Sequence, residues 1–268
     1  MRDLVERLNS IGFERTRRAL AALALSLFMA LYLLVALNAP DGLGPAFIAL
    51  SACYLVAFMG VAAEWFWGRW FAAGLGWSGV MVAVASLVMV GWVPVLAIYG
   101  GLHALVVGCL AGKRMAGRYD LQAAWRERFQ MDEYGVARLR KTVTRAAASL
   151  PSLILYALGP KEPGQGMGVA AIGIAALLLA VASVRGMVLL RSWSLITAAV
   201  AAAAIWFLGA HTLGDALAVS RHTGGDFGPL FWNLRVAVNA GGLFSAAMLT
   251  LAVLPFAGPA FRFLRDRR

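Results

Sequence analysis

Arg145-Ala-Ala-Ala-Ser-Leu-Pro151-Ser-Leu-Ile-Leu-Tyr-Ala-Leu158 is the stretch on which the fold turns. From Ala146 to Leu158 it offers 13 residues, only about 20 Å of helix. A crossing of ~30 Å of hydrocarbon takes roughly 17–25 residues. Pro151 interrupts the run as well, so a re-entrant segment competes with a full crossing.

Charge decides between them, because Lys and Arg are retained on the cytoplasmic side of a membrane. If the stretch crosses, one side holds Arg2, Arg7, Arg15, Arg17, Arg18, Arg69, nine basic residues from Lys113 to Arg145, Arg185, Arg191 and four tail arginines. That is 21 of the 24 basic residues, leaving Lys161, Arg221 and Arg235 outside. If it does not cross, everything after it inverts and the division falls to 18 and 6. The crossing is therefore expected, with Arg145 snorkelling to the inner interface.

The other apolar runs fall at 19–37, 46–63, 71–91, 95–111, 168–184, 193–210 and 231–256. The expected fold is all-α: a polytopic transmembrane bundle of about eight spans with both termini cytoplasmic. Its parts are an N-terminal interfacial amphipathic helix (1–18), a four-span half (19–112), a basic amphipathic connector (113–142), a second four-span half (143–256) and a basic tail (257–268). The run from Ala19 to Leu37 exceeds the apolar core of a signal peptide and reads as a retained span. Seven of the nine tryptophans fall at span ends, where an amphipathic ring sits best.

Composition agrees. Apolar residues make up 61% and charged residues 14%, against about 25% charged in a soluble domain. Mean hydropathy is +0.76. The net charge of +11 lies beside the spans, so anionic headgroups on the cytoplasmic side are the expected partner rather than nucleic acid. With 21 Arg to 3 Lys in an Ala/Gly-rich chain, a bacterial cytoplasmic membrane is the expected setting. Cys53 and Cys109 read as packing residues at different depths.

Several motifs carry candidate chemistry. Gly100, Ala104, Gly108 and Gly112 form a small-residue ladder that admits a second helix closely. His103, near mid-membrane with Tyr99 one turn away, is an intramembrane ionisable group. Arg235, with Asn239 at i+4 and Trp232 nearby, suggests an anion or headgroup site. His211 with Asp215 and His222 with Asp226 are spaced to ligate a divalent metal. Trp125 and Phe129, beside Arg126 and Arg128, suggest a face docking lipid or a cytosolic protein, with Asp120 as a cap. All 13 acids sit in loops or at span ends, which disfavours ion coupling through a carboxylate. No cofactor is expected.

Gly74-Leu-Gly76-Trp-Ser78-Gly79 matches the dinucleotide fingerprint by letters, yet within a transmembrane helix its amides are already bonded. Gly76-Trp-Ser78-Gly79 resembles the GxSG of rhomboid intramembrane proteases, and Ala210-His211-Thr-Leu-Gly214 resembles their AHxxG. The resemblance covers about nine residues and implies a Ser78–His211 dyad. It departs from the family at His103, where His-Ala-Leu-Val-Val replaces HxxxN. The expected layout also puts Ser78 and His211 toward opposite faces. The expected role is a non-enzymatic membrane component or complex subunit. The alternatives are a carrier or channel for an anionic or lipidic substrate, then a membrane-embedded metal-dependent enzyme.

Overall fold

Alanine, leucine and glycine-punctuated apolar runs leave the backbone no partner in oil except itself, so helices are the only element available. The computed structural model describes residues 12–39, 42–159, 167–222 and 229–265. Among them are ten helices and no strand. They are α1 (Phe13–Asn38), α2 (Gly44–Ala62), α3 (Gly68–Val90), α4 (Pro94–Leu110), α5 (Lys113–Tyr119), α6 (Ala123–Phe129), α7 (Glu133–Leu158), α8 (Met167–Val188), α9 (Trp193–His222) and α10 (Pro229–Arg265).

Six of these are long and apolar enough to cross a membrane, and a seventh if α4 and α5 count as one broken span. The chain is a multi-pass membrane protein. Pro45 and Pro94 stand in the first turns of α2 and α4, where the missing N–H costs nothing. Between α4 and α5 the axis turns by 75°. Gly112 makes that corner at φ +102°, a conformation costly for any side chain. The first span starts earlier than its apolar run: α1 begins at Phe13. Arg15, Arg17 and Arg18 therefore ride on its own first turns.

The eight longest helices form two closed rings. α1 packs on α2, α2 on α3, α3 on α4 and α4 back on α1; likewise α7 on α8, α8 on α9, α9 on α10 and α10 back on α7. The rings meet chiefly where α3 packs on α7. Lipid is as apolar as leucine, so close packing and polar contacts must hold such a bundle together. The seam shows how. Gly74 of α3 lies so near α7 that a Cβ there would come within 2.7 Å of the Ala147 methyl.

α7 contains the deciding stretch. It is one helix of 26 residues, about 39 Å long, started by Asp132, whose side chain accepts the Gly135 N–H at 2.7 Å. Its charged first half keeps it out of the apolar set, but every residue from Ala146 to Ile154 is buried. The helix runs through Pro151 unbroken. Two polar bonds stand just before the proline: Ser149 donates to the Ala146 carbonyl at 2.7 Å and accepts on its own carbonyl from Ser245 of α10 at 2.9 Å.

Candidate functional site

Two polar centres stand in the first ring, one among its helices and one at the end where α5 lies. The first is His103 on α4, fully buried. Its Nδ1 lies 2.9 Å from the Tyr99 carbonyl and its Nε2 2.7 Å from the Tyr54 hydroxyl on α2. A carbonyl only accepts, so Nδ1 carries the proton. Burial away from water disfavours the imidazolium, so Nε2 accepts from Tyr54 and both nitrogens are occupied. Phe28 of α1 lies over it with ring centroids 3.9 Å apart, and Tyr99 approaches to 4.3 Å. Gly79 of α3 closes the remaining side, leaving no room for a Cβ against the ring.

Tyr99 is the residue that the spacing pointed to, but its carbonyl makes the contact. Its hydroxyl instead meets that of Tyr32, 3.1 Å away on α1. Tyr54, 49 residues from His103, carried no local signal. Only the ring closure of α1, α2 and α4 brings it there.

The second centre is built on Asp120. The expected cap role is not what the structure shows: its carboxylate turns inward and is 2% exposed. Arg69 Nη1 donates to Oδ2 at 2.6 Å, Trp70 Nε1 donates to Oδ1 at 2.7 Å, and Arg140 Nη1 stands 3.5 Å from Oδ2. One acid thus gathers α3, α5 and α7. Arg69 also donates through Nε to the Leu110 carbonyl at 2.8 Å. Arg17 of α1 donates to the Gly108 and Ala111 carbonyls at 2.8 and 2.5 Å. Two arginines thus meet carbonyls at the C-terminal end of α4, where the helix dipole is negative.

Around this centre, Glu64 pairs with Arg18 and Arg118, and Arg118 stands 3.5 Å from Glu14. The Tyr119 hydroxyl donates to the Val61 carbonyl at 2.9 Å. Burial raises its pKa above the ordinary phenol value, while Arg18, Arg118 and Arg69 pull it back.

Trp125 and Phe129 do not form an outward face. Trp125 is 6% exposed, stacked on Phe66 at 4.3 Å and edge-on to Trp70 at 6.0 Å. Its Nε1 donates to the Tyr119 carbonyl at 3.2 Å. Phe129 is half-buried behind Phe66. The same amphipathic pattern that suits a membrane surface suits a lid on the bundle end. Of that segment, Arg128 is exposed and Arg126 half-buried.

The small-residue ladder divides. Gly100 abuts Ala83 of α3, within 2.7 Å of where a Cβ would stand. Ala104, Gly108 and Gly112 are exposed, and a Cβ at Gly108 or Gly112 would meet nothing within 4 Å. Gly101 beside them is equally open.

In the second ring, Asn239 is buried on α10. α10 packs on α7 and α9 whereas His103 sits on α4, which packs on α1 and α3. The structure does not bring these two candidates together. The side chains of Arg235, Trp232, Asp215 and His222, and all of Asp226, lie outside the described residues. His211 is exposed on α9. The Ser78 hydroxyl is buried without a hydrogen-bond partner, so no Ser78–His211 dyad is formed. Comparison with known protein families, curated proteins and solved structures finds no match to this chain.

Proposed function

We propose that the chain is a non-enzymatic subunit of a bacterial cytoplasmic membrane, crossing eight times with both ends cytoplasmic. In this reading it associates with a transmembrane helix of a partner protein through the open face of α4. The observation that carries it is that face: Gly101, Ala104 and Gly108 are exposed, and the two glycines have no neighbour within Cβ reach. A helix bare of side chains lets another backbone approach closely, which is how helices associate in lipid. Eight crossings are supported by adding α7 to the seven candidates, since a crossing there leaves 21 of the 24 basic residues on one side. The carrier alternative has less support, because both His103 nitrogens are occupied and Asn239 belongs to the other ring.

The test is assembly in mild detergent. Gly101→Leu with Gly108→Leu fills the open face from two positions where a Cβ meets nothing within 4 Å. The expected result is loss of the larger complex with thermal unfolding of the monomer unchanged. A complex of the same size in the variant removes the proposed role. Threading is tested separately by a reporter fused after Arg268. Activity confined to the periplasmic side would overturn it.

A further inference from the structure

The two rings repeat one another in local detail. The turn from α2 to α3 and the turn from α8 to α9 share one hydrogen-bond pattern at one constant offset along the chain. Trp65 N–H donates to the Gly60 carbonyl at 3.0 Å, and Arg191 N–H to the Gly186 carbonyl at 2.8 Å. Glu64 N–H reaches the Val61 carbonyl as Leu190 N–H reaches that of Met187. Gly68 then bonds back to Trp65 as Ser194 does to Arg191. Glu64 and Leu190 stand at the same point of the turn with φ of 54° and 56°, uncommon for residues with a side chain. Gly60 faces Trp67 and Gly68, and Gly186 faces Trp193 and Ser194. The first helix of each ring matches too: Arg17 of α1 donates to carbonyls of α4, and Arg145 of α7 to a carbonyl of α10. By these matches the rings are two versions of one four-helix unit.

The seam between the units is one-sided. α3 and α2 of the first pack on α7 of the second, whereas the reciprocal pair, α9 and α1, is not among the packed helix pairs. A two-fold joint would show both, so this one is head-to-tail and leaves one face of each kind uncovered. The matches name those faces. Across the seam, a Cβ at Gly74 of α3 would meet Thr144, Ala147 and Ala148 of α7. The turn offset carries Gly74 to Val200 of α9. Matching Arg145 to Arg17 carries the three α7 residues to Thr16, Ala19 and Leu20 of α1. All four counterparts are exposed, Val200 by 50% and Leu20 by 42%.

We propose that the chain binds a second copy of itself head-to-tail, the α9 face around Val200 of one copy seated on the α1 face around Thr16, Ala19 and Leu20 of the next. The seam inside each chain is the template for this joint. Close fit rather than apolarity holds helices together in lipid, and Ala19 gives the neighbour room to approach. Val200 in place of Gly74 keeps the helices farther apart than in the seam. Each copy retains one free face of each kind, so assembly runs on into a ring or an open row. The proposal needs α7 to cross the membrane, so that both units face the same way, but does not depend on the role given to α4. The reporter after Arg268 tests that crossing separately.

The test uses the full chain in its membrane, with Cys53→Ala and Cys109→Ala removing the native thiols. Two differently tagged copies are expressed together, one with Ala19→Cys and one with Val200→Cys, and oxidised with copper phenanthroline. The expected product is a dimer carrying both tags. Its yield should be at least about tenfold above that of Ala19→Cys with Leu254→Cys, because a disulfide needs Cβ atoms about 3.5–4.5 Å apart. Leu254 is 55% exposed on α10, away from the proposed joint. Thr16→Cys with Val200→Cys should also join the two tags, and one chain carrying both Ala19→Cys and Val200→Cys should give a ladder of multiples. No doubly tagged dimer from either pair would overturn the proposal. So would an equal yield with Leu254→Cys, the mark of random collision. Dimers as abundant from Ala19→Cys alone or Val200→Cys alone would show like faces meeting and overturn the head-to-tail order.

Discussion

Arg145 of α7 answers a defect made by Pro255 of α10. Its Nη1 donates at 2.7 Å to the carbonyl of Leu251, the carbonyl whose helical donor would be the N–H that Pro255 lacks. An arginine close to oil is thereby held by a backbone acceptor that the helix itself leaves bare. Arg145→Gln should destabilise the protein by about 1–3 kcal/mol, the cost of an unsatisfied acceptor. In a Pro255→Ala background, where the N–H is restored, the same change should cost distinctly less. Thermal unfolding of the four variants in detergent measures the coupling. Additive losses would show that the two residues act independently.

Asp120 is the acid that ties α3, α5 and α7 together. Removing it leaves the Arg69 guanidinium and the Trp70 indole N–H without their partner. Asp120→Ala is expected to cost about 3–5 kcal/mol, the usual penalty for breaking a buried pair. Asp120→Asn, which keeps an acceptor for one donor, should lie between it and wild type. Unfolding midpoints give the order directly.

Tyr54→Phe removes the hydroxyl that His103 Nε2 accepts from. The expected loss is about 1–3 kcal/mol for an unpaired buried nitrogen. Nitrogen NMR of labelled histidine should show Nδ1 protonated and Nε2 bare in wild type. A protonated Nε2 would contradict the assigned tautomer.

Gly79 and Gly101 should respond in opposite ways. Any Cβ at Gly79 collides with the His103 ring, whereas one at Gly101 meets nothing within 4 Å. Gly79→Val is expected to lower stability by at least about 1–3 kcal/mol through overpacking. Gly101→Val should leave monomer stability within about 0.5 kcal/mol. Equal losses at both positions would be inconsistent with the packing of α3 on α4.

Tyr119 predicts an alkaline limit. Its pKa is raised in the fold by burial, so the folded state holds the proton more tightly than the unfolded chain. Its contribution is constant below the ordinary phenol value of about 10 and is lost as pH rises from there through the raised value. The stability difference between wild type and Tyr119→Phe should therefore be flat at neutral pH and shrink above about 10. Unfolding midpoints measured across that range would test it. A difference that shrinks at neutral pH would be inconsistent with this account.

Much of the helix layout was legible because oil imposes it. Apolar runs marked six of the long helices, and prolines and glycines marked their ends. α7 was legible only in part: its apolar half is short, and its charged first half is absorbed by contacts such as Arg140 to Asp120. At the candidate sites, sequence spacing reached one helical turn and no further. It linked His103 to Tyr99 but could not find Tyr54, and it read Asp120 as a cap because capping is the local use of an aspartate. Trp125 misled for a related reason, since one amphipathic face serves a membrane surface or a bundle end equally well.

The amino-acid order alone determined that this chain lives in a membrane as helices, because unpaired backbone and unpaired charge are both expensive in hydrocarbon. Which helices touch was decided only by the fold. Lipid offers apolar faces no preference among neighbours, so the choice falls to small-residue fit and to donors meeting orphaned acceptors. Arg17, Arg69 and Arg145, read from sequence as interface charges, become carbonyl partners of α4 and α10 once those helices are in place.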